Sequence, residues 1–202
     1  MEPLPLYRAL APAVAVALLA VLCAVKREPR LRAMLLGIAV LVGYAVLQDQ
    51  VSARLCPEYF TVLHNPIPGL TDPTLLGVAW GFLGAWWGGA LMGYAAGLCA
   101  TVGPRPPMTV RQLVKPMLVL VAGVGVVTAI AGFSVWKHAQ MMEVEISSVY
   151  SRRIPTARHQ AAFVVACYHF VAYVAAVVGS VVLCVWIRTR RAAASPPAPP
   201  PP

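Results

Sequence analysis

Long apolar runs alternate with short polar connections along this chain. Four runs reach the length of about 20 apolar residues that crosses a bilayer, namely Tyr7–Val25, Pro73–Cys99, Pro116–Trp136 and Ala161–Ile187. A fifth run, Leu31–Gln48, is shorter, but it carries no charge from Ala33 onward. At about 1.5 Å per residue it covers most of a hydrocarbon core of about 30 Å. The pattern predicts an all-α integral membrane protein with five transmembrane helices, a core four-helix bundle preceded by an N-terminal helix.

The apolar runs divide the chain into three parts. Residues 1–30 hold the N-terminal transmembrane helix and a basic turn, and residues 31–191 hold the four-helix membrane core. Residues 192–202 form a proline-rich tail, which we expect to be disordered because proline fixes φ and removes a hydrogen-bond donor. The first run is followed by Lys26-Arg27 rather than by a small-residue cleavage site. We therefore expect it to be retained as a helix rather than removed as a signal peptide.

Composition and charge narrow the class of protein. The 202 residues are 59% apolar and 11% charged, whereas a soluble domain has about 25% charged residues. The net charge of +9 comes from 16 Lys and Arg residues dispersed in the connections, where the lipid bilayer rather than nucleic acid is the expected partner. Ten of them share one side of the predicted bundle and six the other. The positive-inside rule then predicts an outside N-terminus and a cytoplasmic C-terminus in the cell inner (plasma) membrane.

The third run is rich in glycine. Small residues let helix backbones approach closely in lipid, so we expect this helix to lie centrally and to contact other helices, a second copy of the chain or another membrane protein. Trp80 lies about two turns inside the run, and we interpret it as a packing residue or a pocket wall. The predicted packing glycines lie on two neighbouring faces, with Gly77, Gly81, Gly84 and Gly88 on one and Gly89, Gly93 and Gly97 on the other.

Two outer loops, residues 49–72 and 137–160, are expected to form an ordered extracytoplasmic cap. The first loop alternates aromatic and β-branched residues. It predicts short strands or a helical turn, closed by turns at Asn65–Pro66 and Pro68–Gly69. The second loop has apolar residues at helical spacing, which predict an amphipathic helix on the membrane surface: Met142, Ile146, Val149 and Tyr150.

His169 is the most informative single residue. It lies about two turns into the last run, and ionisable residues at that depth are rare and usually face the bundle interior. Tyr173 follows one turn later on the same face, and Asp49 ends the second run at a similar level. We therefore expect a polar cluster beneath the outer loops, formed by Asp49, Arg54, Glu58, Tyr59, His64, His169 and Tyr173.

Three interpretations of this cluster stay open. Glu58, His64 and His169 would supply carboxylate and imidazole ligands that suit zinc or iron, although no pair has a diagnostic spacing. Asp49, Arg54 and His169 would instead line a binding or permeation site for a small polar molecule. In the third interpretation the cluster is structural: Arg54 pairs with Asp49 or Glu58, and His169 fastens the cap, because buried polar groups need partners in any case.

Several of these residues form a longer motif. Its pieces are Asp49-Gln50-Val51-Ser52-Ala53-Arg54, then Pro57-Glu58-Tyr59-Phe60-Thr61 with His64, then Trp80-Gly81 and Trp86-Trp87-Gly88-Gly89, and finally His169 with Tyr173. In these features residues 44–187 resemble a family of bacterial multi-pass membrane proteins without an established function. The resemblance implies a multi-pass helical fold, and it implies no activity.

Signatures of the common enzyme classes are missing from the sequence. The five cysteines include no C-x-x-C pair, and there is no P-loop or G-x-S-x-G motif. Catalytic residues stay unknown, and whether the protein is an enzyme stays open. The sequence predicts a structural, binding or transport-associated membrane component, with a metal-dependent membrane enzyme that uses Glu58, His64 and His169 as the alternative.

Overall fold

The computed structural model describes residues 2–194, and within that range the protein is all-helical. The elements are α1 Leu6–Lys26, α2 Pro29–Leu55, α3 Glu58–Thr61, α4 Pro73–Thr101, α5 Val110–Ala139, α6 Ser148–Ser151 and α7 His159–Ala193, with a 3₁₀ turn at Thr156–Arg158 before α7. Five of these helices, α1, α2, α4, α5 and α7, are long and apolar enough to cross a membrane. The predicted fold class and the predicted number of spanning helices are therefore confirmed.

All five spanning helices extend beyond the predicted apolar runs, and α2 and α5 extend furthest, because polar residues at a helix end find partners in the helix itself. α2 continues past Gln48 to Leu55. There the Ser52 hydroxyl donates to the Gln48 carbonyl (3.1 Å), and the Arg54 guanidinium donates to the Gln50 carbonyl (2.8 Å). α5 begins at Val110 after a Thr109 capping box rather than at Pro116. Asp49 and Arg54 thus belong to a membrane helix, and the first outer loop begins after Leu55.

α2 and α4 pack backbone against backbone. The glycines that face α2 are spaced by multiples of four, so they form one straight ridge along α4: Gly77, Gly81, Gly89, Gly93 and Gly97. A Cβ atom added at Gly89 would lie 2.7 Å from the Gly37 carbonyl oxygen, and one added at Gly93 would overlap the Ala33 carbonyl. Gly84 and Gly88 do not take part in this seam, because a Cβ on either would meet only side-chain atoms.

α5 and α7 pack through side chains and leave space between them. A Cβ atom added at Gly123 of α5 would meet nothing within 4 Å, and one at Gly179 of α7 would meet only the Leu120 side chain, at 3.1 Å. The Tyr44 hydroxyl of α2 donates to Thr128 of α5 (3.2 Å) and ties this pair to the first one. The bundle therefore consists of one tight helix pair and one open pair.

The two ends of the bundle differ in charge. We call the end formed by residues 2–8, 49–72 and 137–158 the capped end, and the end formed by residues 26–32, 102–115 and 188–194 the basic end. The basic end carries ten Lys and Arg residues but a single acid, Glu28, whereas the capped end carries six basic and six acidic residues. The whole net charge of +9 therefore belongs to the basic end.

Arg191 closes the basic end. Its side chain is buried, and its guanidinium donates to the carbonyls of Cys99 (2.7 Å) and Val102 (2.8 Å), which end α4. It also donates to the carbonyls of Pro106 (2.9 Å) and Arg105 in the connection that follows. The last carbonyls of a helix lack partners within the helix, so the charge satisfies several of them at once. α4 is thereby fastened to the end of α7.

The second outer loop differs from the predicted amphipathic helix. Between the end of α5 and the 3₁₀ turn only Ser148–Ser151 is helical, and Met142 and Val149 are largely exposed. Between them, Val144 and Ile146 turn toward the capped-end core while Glu143 and Glu145 are exposed. This alternation is the period of an extended segment, which explains why the helical interpretation was wrong.

The structure places the two ends of the chain somewhat differently from the predicted division into three parts. α1 is mostly exposed, with Cys23 its one buried residue in the described structure, and the Leu4 N–H donates to the Pro66 carbonyl (2.8 Å). α7 includes Ala192 and Ala193, the first residues of the predicted tail. Residues 195–202 of that tail lie outside the described residues.

Candidate functional site

A buried carboxylate and a buried imidazole meet between α2 and α7. Asp49 and His169 are 5% and 6% exposed, and His169 Nε2 lies 2.9 Å from Asp49 Oδ1. His169 Nδ1 lies 2.9 Å from the Val165 carbonyl, one turn earlier in α7. Asp49 is six residues before the end of α2, about 9 Å inside the helix end at 1.5 Å per residue. The pair therefore sits within the membrane-spanning part.

The hydrogen bonds of His169 fix the number of protons that the pair holds. The Val165 carbonyl can only accept, so Nδ1 of His169 carries a hydrogen. The bond between Nε2 and Asp49 then needs one further proton, held by the imidazole or by the carboxyl group. In both forms the pair is neutral overall, which is the cheapest state for ionisable groups away from water. Asp49 and His169 thus share one proton across a buried hydrogen bond.

Two tyrosine rings enclose the imidazole. The Tyr59 ring stacks on His169 with centroids 4.6 Å apart and an interplanar angle of 26°, and the Tyr168 ring lies on it at 5.0 Å and 24°. The Tyr168 hydroxyl donates to Ser52 Oγ (2.6 Å), and Ser52 donates to the Gln48 carbonyl (3.1 Å). The ring of His169 is therefore held in one orientation by stacking and by hydrogen bonds.

The short helix α3 brings aromatic residues over the Asp49–His169 pair. The connection from α3 folds back so that His64 Nδ1 lies 2.8 Å from the Tyr59 carbonyl. The His64 ring also contacts the Trp80 ring of α4, with centroids 4.7 Å apart. Burial lowers the pKa of His64 below its ordinary value. The imidazole at the capped end is thus favoured in its neutral form.

A second contact fastens α3 to the start of α7. The Arg158 guanidinium Nε lies 3.3 Å from Glu58 Oε1, and its Nη2 donates to the Leu55 carbonyl (2.9 Å). Burial alone would raise the pKa of Glu58, but hydrogen bonds from its own backbone N–H, from Arg158 and from Cys56 hold that pKa below its ordinary value. Burial raises the pKa of the Cys56 thiol to about 11. Glu58 is therefore an ionised partner of Arg158.

A cavity of about 510 Å³ lies beside the pair, between α2, α4 and α7. We call it the lateral chamber. Asp49, Trp80 and His169 line its polar end, and most of the remaining wall is apolar, with Gln48, Tyr173 and Ser180 among the polar exceptions. Its rim residues Trp87, Leu91, Val177 and Val181 are more than half exposed, so the chamber opens through the side of the bundle. In a membrane this side faces lipid.

Two hydrogen-bond donors at the chamber have no acceptor within residues 2–194. The Trp80 indole N–H is buried and without a partner. The Tyr173 hydroxyl also forms no hydrogen bond in the described structure, and it lies 3.7 Å from the position of a Cβ added at Gly84. Trp80 and Gly84 are one turn apart on α4, as His169 and Tyr173 are on α7. The indole of Trp80 and the hydroxyl of Tyr173 thus belong to two different helices that line the chamber.

The structure brings part of the predicted polar cluster together. Asp49, Tyr59, His64, His169 and Tyr173 surround one place, as expected from the sequence. Arg54 lies outside it: its guanidinium binds Gln50 and, at 2.9 Å, the Thr74 hydroxyl, and it pairs with neither Asp49 nor Glu58. The expected structural pairing of Arg54 is therefore wrong, because Arg54 is exposed on the outer face of α2 and α4.

The three residues expected to bind zinc or iron do not converge. Glu58 turns toward Arg158, His64 toward the Tyr59 carbonyl, and His169 toward Asp49. Within residues 2–194 no group of three or more His, Cys, Asp and Glu side chains is arranged to hold a metal ion. The geometry thus shows an imidazole–carboxylate pair rather than a ligand set.

Sequence reasoning missed three residues of the site. Ser52 and Tyr168 each adjoin a predicted residue, Ser52 one turn after Asp49 and Tyr168 next to His169. Their closeness to Asp49 and His169 in the sequence could have identified them, because polar neighbours of a buried ionisable residue supply its hydrogen bonds. Arg158 carried no comparable signal, because 100 residues separate it from Glu58.

None of the protein-family models, curated proteins or solved structures compared with the chain matches it. Function is therefore inferred from the lateral chamber and its polar end.

Proposed function

We propose that the protein binds a lipid-soluble molecule with a carbonyl head, which enters the lateral chamber from the bilayer. The buried indole N–H of Trp80 carries this proposal, because a buried donor without an acceptor costs about 1–3 kcal/mol. In a ligand-bound form the indole ring would turn its N–H toward the chamber and donate it to the carbonyl oxygen. The Tyr173 hydroxyl, on the opposite wall, offers a second hydrogen bond to the same kind of head.

The size and lining of the chamber support a small molecule with a ring. Its volume of about 510 Å³ falls in the usual range of small-molecule sites, about 300–1,000 Å³. Apolar walls with a few placed polar groups are typical of such sites. The indole ring of Trp80 offers a flat surface against which a ring can stack. A quinone, a flat ring with two carbonyl oxygens, has this chemistry.

The open side of the chamber favours binding over transport. A ligand dissolved in the bilayer reaches the chamber past Leu91 and Val177 without crossing water. Transporter sites are typically built from discontinuous helices, whereas α2, α4 and α7 run unbroken along the chamber. We therefore favour a binding component over a complete carrier.

The charge asymmetry supports the predicted placement in the plasma membrane with the basic end in the cytoplasm. The ten basic residues and one acid of that end contrast with the balanced charges of the capped end. A reporter fused after Arg191 should stay cytoplasmic. A reporter signal from the outer side would reverse the orientation.

The binding proposal is tested with decylubiquinone as the probe and tryptophan fluorescence as the readout. Titration of the detergent-purified protein should give saturable quenching. The sharpest variant is Gly84→Leu, which fills the chamber: a Cβ at Gly84 meets only the Tyr173 hydroxyl, at 3.7 Å, and no backbone. We expect this variant to fold and to lose the saturable component. The quenching that remains in this variant measures the quinone that dissolves in the micelle.

A matched pair of tyrosines tests the hydrogen bond. Tyr173→Phe should weaken binding about two- to tenfold, the value of one neutral hydrogen bond. Tyr94→Phe, on α4 outside the chamber lining, should leave binding unchanged. Unchanged quenching in Gly84→Leu, or no saturable quenching of the wild type, would overturn the proposal and leave the Asp49–His169 pair with a structural role.

A further inference from the structure

A second apolar cavity lies against a different face of α7 from the lateral chamber and shares no lining residue with it. It is a groove of about 960 Å³ between α5 and α7. Gly123, Ala175 and Gly179 form its floor, and seven of its 18 lining residues are valine. On α5 the lining runs from Gln112 to Val127, a distance of about 22 Å at 1.5 Å per residue. The groove therefore spans more than one leaflet of a hydrocarbon core of about 30 Å.

Three polar side chains with hydrogen-bond donors gather at the basic end of this groove. Lys115 and Arg190 line it from α5 and α7, and both are exposed. Within the described residues Lys115 forms no ion pair, and Arg190 contacts only the Trp186 ring, 5.8 Å from the centroid. Gln112 uses its side-chain oxygen for Thr109, and its amide NH₂ group is left for another partner. The groove therefore ends in two cations and an amide without an anion.

The level of these cations matches the surface of a membrane. Trp186 lines the groove one turn before Arg190, and tryptophan is enriched where headgroups meet the hydrocarbon core. Lys115 directly precedes the long apolar part of α5. A molecule seated in the groove would thus place its apolar part between Gly123 and Gly179 and its polar part between Lys115 and Arg190.

We propose that this groove binds an anionic phospholipid, with one acyl chain between α5 and α7 and the phosphate on Lys115 and Arg190. The groove has the length of an acyl chain, and the cations have the opposite charge to the phosphate. Basic pockets between membrane helices on one face of the bilayer typically bind such headgroups. The site is independent of the lateral chamber.

A second copy of the chain fits the groove less well than a lipid. Copies in one membrane share their orientation, so a neighbour would bring its own basic end to Lys115 and Arg190. That end holds a single acid, Glu28, and Arg30 already pairs with it. Charge repulsion therefore disfavours a neighbouring chain where it favours an anionic lipid.

The experiment counts lipids on the purified protein by native mass spectrometry. Palmitoyl-oleoyl phosphatidylglycerol and palmitoyl-oleoyl phosphatidylcholine have the same chains and differ in net charge. We expect one phosphatidylglycerol to be retained per chain, at concentrations where phosphatidylcholine is not. The double variant Lys115→Gln/Arg190→Gln should bind phosphatidylglycerol about thirtyfold more weakly, because each cation near an anionic surface contributes about a fivefold effect.

Two controls separate the parts of the site. Arg152→Gln/Arg153→Gln removes the same charge from the exposed loop of the capped end and should not change binding. Gly123→Leu keeps both cations but fills the groove, in open space around that position, and should abolish retention. Inorganic phosphate should not compete, because it lacks the acyl chain. Equal retention of the two lipids, full binding by the double variant, displacement by phosphate alone or a lipid-free dimer would each overturn the proposal.

Discussion

The α2–α4 pair is packed through its backbones, whereas the α5–α7 pair is packed through its side chains. Gly37 on α2 meets the glycine ridge of α4, and the backbones touch. α5 and α7 meet through valine, leucine and phenylalanine side chains and leave a groove of about 960 Å³. In lipid, close van der Waals contact holds helices together. The tight pair is thus the scaffold, and both the lateral chamber and the groove border α7 of the open pair.

The difference follows from what faces each seam. Glycines at intervals of four align along α4 because i and i+4 share a helix face. A seam of glycines lets two backbones approach without side chains between them. Branched valines are stiff at χ1 and hold α5 and α7 apart, and single glycines such as Gly123 then become the floor of a cavity.

The largest expected effect comes from cutting the buried bond that joins the two pairs. In His169→Leu, Asp49 keeps a buried carboxyl group without its partner, and the loss should be about 3–5 kcal/mol of stability. Thermal unfolding in detergent measures it. The double variant Asp49→Leu/His169→Leu should recover most of the loss, because it leaves no unpaired charge.

His138→Leu is the matched control for that experiment. His138 is exposed and bonds only to the Ser134 carbonyl of its own helix, at 2.8 Å. Its replacement should shift the melting temperature little. Equal shifts for His169→Leu and His138→Leu would contradict a buried pair.

The next largest effect tests directly whether the α2–α4 and α5–α7 contacts differ in tightness. Gly93→Ala places a methyl group against the backbone of Ala33 and Met34, and overpacking of this kind costs about 1–3 kcal/mol. Gly123→Ala, in open space on α5, should be neutral or stabilise by up to about 1 kcal/mol, because alanine is the better helix former. A comparable loss in both variants would show that the two seams are equally tight.

Replacement of Arg191 at the basic end should lower the free energy of unfolding by about 2 kcal/mol. Arg191→Gln removes the charge that satisfies the last carbonyls of α4, and hydrogen bonds to charged groups contribute about 1.5–3 kcal/mol each. Arg153→Gln, at an exposed position in the capped end, is the control. If the two variants unfold at the same temperature, Arg191 does not hold the open pair to the tight one.

The smallest expected effect is a dependence of stability on pH, which comes from His64 at the capped end. Burial lowers the pKa of His64 from 6.5 in the folded protein, so below that pH the unfolded chain binds a proton that the folded chain does not. Stability should therefore be full above pH 6.5 and fall as the pH drops toward the folded pKa. Melting curves between about pH 7.5 and 5.5 should show the fall. His64→Phe should flatten it, and an unchanged slope would exclude His64 as its source.

The sequence predicted the helices well and their contacts only in part. Apolar runs determine which segments enter a membrane, so the five spans follow from composition. Which face of a helix meets which neighbour depends on rotation: Gly84 and Gly88 were expected at the seam but face side chains near the chamber. Asp49 and His169 lie 120 residues apart, and periodicity placed both at one level without showing that they bond.

The loops were harder to predict for a different reason. Glu58 had several cationic candidates in the sequence, and its partner Arg158 is set by how α3 folds over α2. Arg54 was expected to pair with Asp49 or Glu58 because the predicted first outer loop began too early in the chain. Polar residues near the membrane surface do not end a helix when their side chains bond within it, and hydropathy alone therefore misplaces the boundary.

The carbonyls that end α4 are satisfied by a residue that is synthesised much later than they are. Arg191 follows its acceptors Cys99 and Val102 by 92 and 89 residues. The α2–α4 seam can form as soon as both of its helices have been made, but the basic end stays unfastened until the end of α7 has left the ribosome. A chain that stopped before Arg191 would contain all five apolar runs and still lack this closure. The order of synthesis therefore sets an order of folding, in which the tight pair forms first and its fastening to α7 follows.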